Sequence, residues 1–142
     1  MSCKNWRTND AWNLQVSEVV LDASVVLAIV QGEAIHPDFF NLLEGAVMSA
    51  VNYAEVLAKR ADLEAVPYPC MDDLLDLLDR IEPFTSAQAI ISGELRPLTR
   101  RAGLSLGDRA CLALALELDA EVYTADRAWL DVLPGGRIHL IR

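Results

Sequence analysis

Short apolar runs alternate along the chain with longer segments whose apolar residues recur at helical spacing. The short runs predict buried strands, and the longer segments predict helices. Five strands are predicted, at residues 19–21, 47–48, 81–84, 121–123 and 138–141. Six helices are predicted, at residues 24–30, 37–43, 50–60, 71–81, 86–102 and 106–118. This alternation predicts an α/β fold in which helices cover both faces of a small parallel β-sheet.

Local signals mark where several of these helices begin and end. Pro37 has the place of a first-turn proline, and Gly45 ends the helix that this proline opens. Ser49 is a favoured N-cap for the helix that follows. Pro97 falls inside the segment 86–102, where we expect a kink or a break because proline removes a helical hydrogen bond.

The composition is that of a folded globular domain. The chain has 142 residues, of which 53% are hydrophobic and 23% are charged. This size favours a single domain with a substantial core. No apolar run approaches the length of a membrane span, and the first residues lack the apolar stretch of a signal peptide. We therefore expect a cytoplasmic protein without a membrane anchor.

The cysteines Cys3, Cys70 and Cys111 are scattered along the chain and odd in number. This pattern predicts free thiols in a reducing compartment, with no disulfide framework. The cysteines lack C-x-x-C spacing, and the two histidines, His36 and His139, are far apart in the sequence. The sequence therefore also argues against a zinc site.

The chain carries a net charge of −9 at pH 7, from 21 acidic and 12 basic residues. Such a balance works against binding to a polyanion, because phosphate groups are bound by Lys and Arg. Clustered carboxylates can nevertheless serve a nucleic-acid enzyme by holding divalent cations, which then provide the positive charge. What matters is therefore whether the acids cluster.

Four acids stand at positions where side chains of separate elements can meet. Asp22 follows the first predicted strand, and Asp126 follows the strand at residues 121–123. Glu55 lies at the edge of the apolar stripe of its helix, and Asp108 lies in the first turn of an apolar helix. Because ligands of parallel sheets bind beyond the carboxyl ends of the strands, these carboxylates are candidates for one crevice.

Each of these acids also has a purely structural interpretation. Asp22 and Asp126 precede predicted helices and can act as N-caps. Asp108 lies three residues after Ser105, which fits a capping box. Glu55 can be an ordinary solvated acid. Both interpretations stay open for each acid taken singly, although chance explains the four positions together less well.

Four segments together resemble the PIN domain, specifically the VapC-type toxins of bacterial and archaeal toxin–antitoxin pairs. The segments are VVLDASVVLA, SAVNYAEVLAK, LSLGDRACLALA and VYTADRAW, and they occur in the order typical of the family. The resemblance divides the chain into an N-terminal extension at residues 1–17 and a PIN domain at residues 18–142. It implies a PIN-like three-layer α/β/α fold with an acidic pocket.

The resemblance also implies a divalent-metal-dependent endoribonuclease that hydrolyses RNA phosphodiester bonds with Mg²⁺ or Mn²⁺. Catalytic and metal-binding roles fall to the positions of the family's four acids, which are Asp22, Glu55, Asp108 and Asp126. Thr124 matches a family hydroxyl that holds a carboxylate or a water by hydrogen bonding. Ser24 is a weaker candidate for a similar supporting role.

The implied partners are an RNA substrate, a small antitoxin protein and a second copy of the chain in a homodimer. An acidic crevice on a chain with a net charge of −9 gives a physical reason for an antitoxin partner, because it would attract a basic peptide. Within the same family, a free-standing PIN-domain RNA-processing nuclease is the alternative that needs no antitoxin.

Other classes of protein fit the sequence less well. A phosphatase of the haloacid dehalogenase type would need D-x-D after the first strand, where the chain has DAS. A receiver domain would need a late lysine, but the only lysines are Lys4 and Lys59. A non-catalytic binding module would tolerate the loss of an acid, whereas all four acids are present.

Several arginines are candidates for contacts with RNA. Arg96, Arg100 and Arg101 form a cluster that is either a solvated helix face or a strip for the RNA backbone. Arg109 and Arg127 each adjoin a candidate acid, so we expect these two side chains to pair with carboxylates.

Overall fold

A parallel sheet of five short strands forms the centre of the protein. A computed structural model describes residues 18–63, 71–133 and 136–142. The strands are β1 (Val19–Leu21), β2 (Val47–Ser49), β3 (Arg80–Glu82), β4 (Glu121–Thr124) and β5 (Ile138–Leu140). All neighbours pair in parallel in the order β3-β2-β1-β4-β5, so β1 is the central strand.

Seven α-helices connect the strands within the part of the chain that the structure describes. They are α1 (Ala23–Val30), α2 (Phe40–Leu43), α3 (Ala50–Asp62), α4 (Met71–Leu75), α5 (Ser86–Glu94), α6 (Arg96–Thr99) and α7 (Leu106–Leu118). Short 3₁₀ turns precede α2 and follow β4. Ser49 caps α3 as predicted, because its hydroxyl accepts a hydrogen bond from the amide of Val51.

Two hydrophobic cores lie on opposite faces of the sheet. Successive residues of a strand point to opposite faces, and β1 follows this rule. Leu21 packs into a core with residues of α1 to α4, whereas Val20 packs into a core with Leu112 and Leu114 of α7 and with Trp129. Because helices cover both faces, the predicted three-layer α/β/α arrangement is confirmed.

Three element predictions need correction. The helix predicted at 71–81 ends at Leu75, because the chain must turn there to let β3 pair with β2. Strand β3 covers Arg80–Glu82 and not residues 81–84, since the proline that follows Glu82 cannot donate a ladder hydrogen bond. The helix predicted at 86–102 ends at Thr99, and it is divided into α5 and α6 at Leu95, which confirms the break expected near Pro97.

Some sequence predictions lie outside the described residues. These are the interpretation of residues 1–17 as an extension and the thiol states of Cys3 and Cys70. Cys111 is described and is a buried free thiol, as predicted. Every helix in the described part of the chain is too short or too polar to cross a membrane.

Candidate active site

The candidate site lies at the carboxyl ends of β1 and β4, where the sheet topology reverses. From β1 the chain proceeds to β2 on one side, and from β4 it proceeds to β5 on the other side. Such a reversal leaves a crevice between the two strands at their carboxyl ends. Leu21 and Tyr123 are paired across the strands, so the residues that follow them, Asp22 and Thr124, are brought side by side.

Two hydroxyl groups hold the carboxylate of Asp22. The residue is only 3% exposed, and its Oδ2 accepts hydrogen bonds from Ser24 Oγ at 2.6 Å and from Thr124 Oγ1 at 3.1 Å. The hydroxyls are themselves fixed by backbone amides, since Ser24 accepts from Ala125 at 2.9 Å and Thr124 accepts from Asp126 at 3.1 Å. Although Asp22 occupies the N-cap position of α1, its side chain makes no capping hydrogen bond. The carboxylate is therefore directed into the crevice.

The carboxyl of Asp22 is a weaker acid than an ordinary aspartic acid. Burial is the main cause that raises its pKa from 3.8 to about 6. The hydroxyls of Ser24 and Thr124 lower the pKa, whereas the negative charges of Asp108 and Glu55 raise it. Asp22 therefore lies in the electrostatic field of two other candidate acids.

Glu55 approaches the crevice from α3, where a buried amide and a glycine position its carboxylate. Asn52, one turn earlier, donates from Nδ2 to Glu55 Oε2 at 3.2 Å and to the carbonyl of Gly107 at 3.0 Å. The space beside Gly107 is filled by the Glu55 carboxylate, because a Cβ atom added there would lie 1.9 Å from Oε1. Burial and the charge of Asp108 raise the pKa of Glu55, against the hydrogen bond from Asn52.

Asp108 lies in the first turn of α7 and forms the capping box that the sequence predicted. The amide of Ser105 donates to Asp108 Oδ2 at 2.8 Å, and the amide of Asp108 donates to Ser105 Oγ at 3.1 Å. The capping interpretation of Asp108 is therefore confirmed. It does not remove Asp108 from the crevice, because its charge acts on both Asp22 and Glu55.

Asp126 is exposed and caps the 3₁₀ turn that follows β4. Its Oδ1 accepts a hydrogen bond from the amide of Ala128 at 2.9 Å. Its backbone amide donates to Thr124 Oγ1, and Thr124 together with Ser24 forms the hydroxyl cage around the Asp22 carboxylate. The three-residue turn then buries Trp129 completely, which anchors this loop against the sheet.

The buried thiol of Cys111 shows which acids converge. Burial is the main cause that raises the pKa of this thiol, and the charges of Asp22, Asp108 and Glu55 raise it further. The charges of these three carboxylates therefore act on one buried position of α7. Asp126 is connected to this group of acids through its backbone amide, which donates to Thr124 Oγ1.

Within the described residues, no group of three or more His, Cys, Asp or Glu side chains converges closely enough to enclose a metal ion. The donor chemistry nevertheless fits a hard cation, because the converging groups are carboxylates that repel one another. A closed protein cage is not needed for Mg²⁺, which usually keeps several waters and takes one or two carboxylates from the protein.

Sequence reasoning missed Asn52 and Gly107, and it misjudged Arg109. Asn52 is fully buried within an exposed-looking helical segment, so only the contact between α3 and α7 reveals its role. The sequence predicts that Arg109 and Arg127 each pair with a carboxylate, and both predictions are wrong for the described residues. The guanidinium of Arg127 pairs with no described carboxylate, and Arg109 has a different partner. Its Nη1 instead donates to the backbone carbonyl of Ser92 on α5, at 3.1 Å.

Comparison with known families identifies the class of protein. The profile of the PIN domain matches residues 19–133, which is most of the chain. The chain therefore belongs to the PIN domain family, as its four motif segments predicted. Members of this family are generally nucleases. A comparison with curated protein sequences gives no match.

Solved structures from toxin–antitoxin systems are similar to this chain in fold. A chain of the DNA-bound VapBC complex from Salmonella typhimurium aligns with a TM-score of 0.65 and 18% identity, covering 89% of this chain and 100% of that one. A chain of a toxin–antitoxin complex from Klebsiella pneumoniae aligns with a TM-score of 0.62 and 17% identity, covering 86% of this chain and 96% of that one. A chain of VapBC-5 from Mycobacterium tuberculosis aligns with a TM-score of 0.54 and 22% identity, covering 89% of this chain and 98% of that one. At these identities the similarity establishes a shared fold.

Proposed function

We propose that this PIN domain is a divalent-metal-dependent endoribonuclease, and that it is the toxin of a type II toxin–antitoxin pair. The observation that carries the nuclease proposal is the carboxylate of Asp22, which the hydroxyls of Ser24 and Thr124 hold. This carboxylate lies where the sheet topology reverses, and the negative charges of Asp108 and Glu55 act on it. Carboxylates forced together in this way favour a bound cation, and phosphodiester hydrolysis is a reaction that such a cation serves.

The residues that would hold Mg²⁺ or Mn²⁺ are the four acids of the crevice, Asp22, Glu55, Asp108 and Asp126. The ion would stabilise charge on the phosphate and lower the pKa of a water. Asp22 is the central ligand in this proposal, because Ser24 and Thr124 fix its orientation while leaving Oδ1 free of any hydrogen bond from the described residues. Thr124 and Ser24 are thus positioning residues, and Asn52 has the same function for Glu55.

Purified protein tests the nuclease proposal directly. We expect it to cleave RNA in the presence of Mg²⁺ or Mn²⁺, and we expect EDTA to stop the reaction because the acids alone repel the phosphate backbone. Cleavage would be followed on labelled single-stranded and structured RNAs. Cleavage that continues undiminished in EDTA would contradict the metal mechanism.

The toxin proposal rests on the motif segments and on the fold that the chain shares with chains of toxin–antitoxin complexes. It implies an antitoxin whose basic segment enters the acidic crevice, and a homodimer of the toxin. Expression in the native host would arrest growth unless a small protein from a neighbouring reading frame is produced with it. Harmless expression together with metal-dependent RNA cleavage would favour a free-standing RNA-processing nuclease.

A metal titration separates the capping and ligand roles of Asp108. We expect Mg²⁺ to raise the melting temperature of the wild type, since a ligand stabilises the folded state by RT ln(1 + [L]/Kd), about 2.7 kcal/mol at 100 times Kd. Asp108→Asn should gain much less, because a carboxylate oxygen in the crevice is replaced by an amide. Thermal melts of both proteins with and without Mg²⁺ measure this difference.

Ser105→Ala is the matched control, because it breaks the same capping box from its other side. This variant should lose about 1 kcal/mol of stability without metal, the typical value for a lost cap. It should keep the full response to Mg²⁺. Equal metal protection in all three proteins would leave Asp108 with its capping role alone.

A further inference from the structure

A cavity of about 460 Å³ opens directly beside the caged carboxylate. Two residues of the candidate active site form part of the cavity wall, so the cavity adjoins that site. They are Asp126 and Ser24, whose hydroxyl donates to Asp22. Its volume lies within the range of about 300–1,000 Å³ that is usual for small-ligand pockets. The four-acid site accounts for only the edge of this cavity, which extends along α1 toward the last residue of the described chain.

The floor of the cavity is apolar. The aliphatic surface comes mainly from Leu27 of α1, which is half-buried, because Ala28 and Ala125, which also line the cavity, are almost completely buried. Gln31 adds an amide, which can both donate and accept hydrogen bonds, at the end of α1. An apolar floor with one adaptable amide matches a flat ring that carries hydrogen-bonding groups at its edge.

Two guanidinium groups line the same cavity, and their states differ. Arg142 forms an ion pair with Glu33, so its charge is already balanced. Arg127 is exposed, and its guanidinium makes no ion pair or hydrogen bond with any described residue. An unpaired guanidinium is a strong binding group for a phosphate, because it presents a planar fork of donors. The cavity therefore combines an apolar floor with the available positive charge of Arg127 and, beside the candidate active site, the carboxylate of Asp126.

These features favour a nucleotide over a basic peptide. A basic segment is attracted by the carboxylates, but inside the cavity it would meet the positive charge of Arg127. The phosphate of a nucleotide can bind the guanidinium of Arg127, and its base can pack on Leu27 and Ala28. The polar edge of the base can form hydrogen bonds with the amide of Gln31. The sugar-phosphate backbone of the nucleotide would also run toward Ser24 and Asp126, the two residues that the cavity shares with the candidate active site.

We infer that this cavity is a subsite for one nucleotide of the RNA, adjacent to the phosphate that is cleaved, with its base on Leu27 and Ala28 and its phosphate on Arg127. The inference rests on the proposed ribonuclease function and extends it, because it assigns residues that select substrate. One base next to the cleaved bond is then read by the protein, while the acids act on any phosphodiester.

Kinetics on a short RNA with a mapped cleavage site test the subsite. Replacing the base that occupies the cavity with an abasic ribose should raise KM about tenfold at one flanking position and leave kcat nearly unchanged. Arg127→Ala should raise KM to a similar extent, and Arg127→Lys should recover part of the loss. Leu27→Trp should fill the cavity and make the natural and abasic substrates equivalent, since the two changes remove the same contact.

Arg137→Ala is the matched control, because Arg137 lies at the other end of the sheet, beside β5, in an ion pair with Asp119. It should cleave both substrates as the wild type does. Unchanged KM and unchanged base dependence in Arg127→Ala and Leu27→Trp would overturn the subsite. The same conclusion would follow if Leu27→Trp weakened binding of a basic antitoxin peptide while RNA cleavage stayed normal.

RNA binding by Asp22→Asn distinguishes failure of the subsite from failure of the proposed function. Fluorescence anisotropy with labelled RNA would be measured for Asp22→Asn alone and combined with Arg127→Ala or Leu27→Trp. Binding that depends on both residues, in a protein whose wild type cleaves no RNA, would support the subsite and contradict the nuclease proposal. Absence of any such dependence would overturn the subsite whether or not the wild type cleaves RNA.

Discussion

Asp22→Asn is expected to reduce metal-dependent RNA cleavage at least about 100-fold, since it removes the central carboxylate from a site whose charge stabilisation is worth several kcal/mol. The same variant should fold and should be more stable than the wild type without metal at pH 7. Only Oδ2 accepts the hydroxyls of Ser24 and Thr124, and an asparagine oxygen can accept both. The substitution therefore removes a buried charge and keeps its hydrogen bonds.

The pH dependence of stability gives Asp22 a signature of its own. Because burial raises its pKa in the folded state to about 6, the folded protein binds this proton more tightly than the unfolded chain does. The Asp22 contribution to the free energy of unfolding is therefore fully present below about pH 4. It is lost as the pH rises through 6, by on the order of 3 kcal/mol once the pH is well above 6.

Denaturation curves at pH 4, 5, 6 and 7 without metal would measure this contribution as the difference between wild type and Asp22→Asn. The difference should grow in favour of the variant as the pH rises. A constant difference across this range would contradict a raised pKa for Asp22.

The cleavage assay tests the catalytic role of Asp22 separately. Retention of full cleavage activity by Asp22→Asn would remove Asp22 from the catalytic machinery.

Gly107→Ala should lower cleavage about 10- to 100-fold with little change in stability, as expected when the support of a metal ligand is disturbed. The added Cβ would meet Glu55 Oε1 at 1.9 Å, so one of the two groups must move. The flexible carboxylate moves more easily than the first turn of α7. Glu55 would then leave its hydrogen bond with Asn52 and its position near Asp108.

Gly93→Ala is the matched control for this substitution. Gly93 also lies in a helix, and a Cβ added there meets no atom within 4 Å. It should keep full activity and gain up to about 1 kcal/mol of stability from the better helix propensity of alanine. If Gly107→Ala cleaves RNA as fast as Gly93→Ala does, the position of the Glu55 carboxylate is not critical for the reaction.

The sequence predicts most of the architecture because local rules dominate it. The central strand is a run of β-branched and apolar residues that is buried on both faces, and Ser49 and Ser105 mark helix starts by their capping chemistry. These predictions are correct since propensity and tertiary packing agree. The helix predicted at 71–81 is wrong because an amphipathic pattern continued past Leu75, where pairing of β3 with β2 outweighs it.

The parts of the site that the sequence does not predict depend on contacts between distant elements. Nothing near Asn52 reveals that its side chain bonds the carbonyl of Gly107, 55 positions later. The environment of Asp108 has the same origin, because its capping box is local while its influence on Asp22 arises from the packing of α7 against β1. The four acids could be selected by position and motif, whereas their relative burial could not.

The bond between Thr124 and Asp22 spans 102 positions, and this separation sets when a newly made chain can acquire its site. At about 5–20 residues per second, β4 is synthesised about 5–20 s after β1. During this interval Asp22 is followed by Glu55 and then by Asp108 on the growing chain, before the strand that holds Asp22 in place is made. A chain interrupted between Asp108 and Thr124 therefore carries three of the four acids without the hydroxyl of Thr124. For a protein proposed to damage the RNA of its own cell, assembly of the site is deferred until β4 has been synthesised.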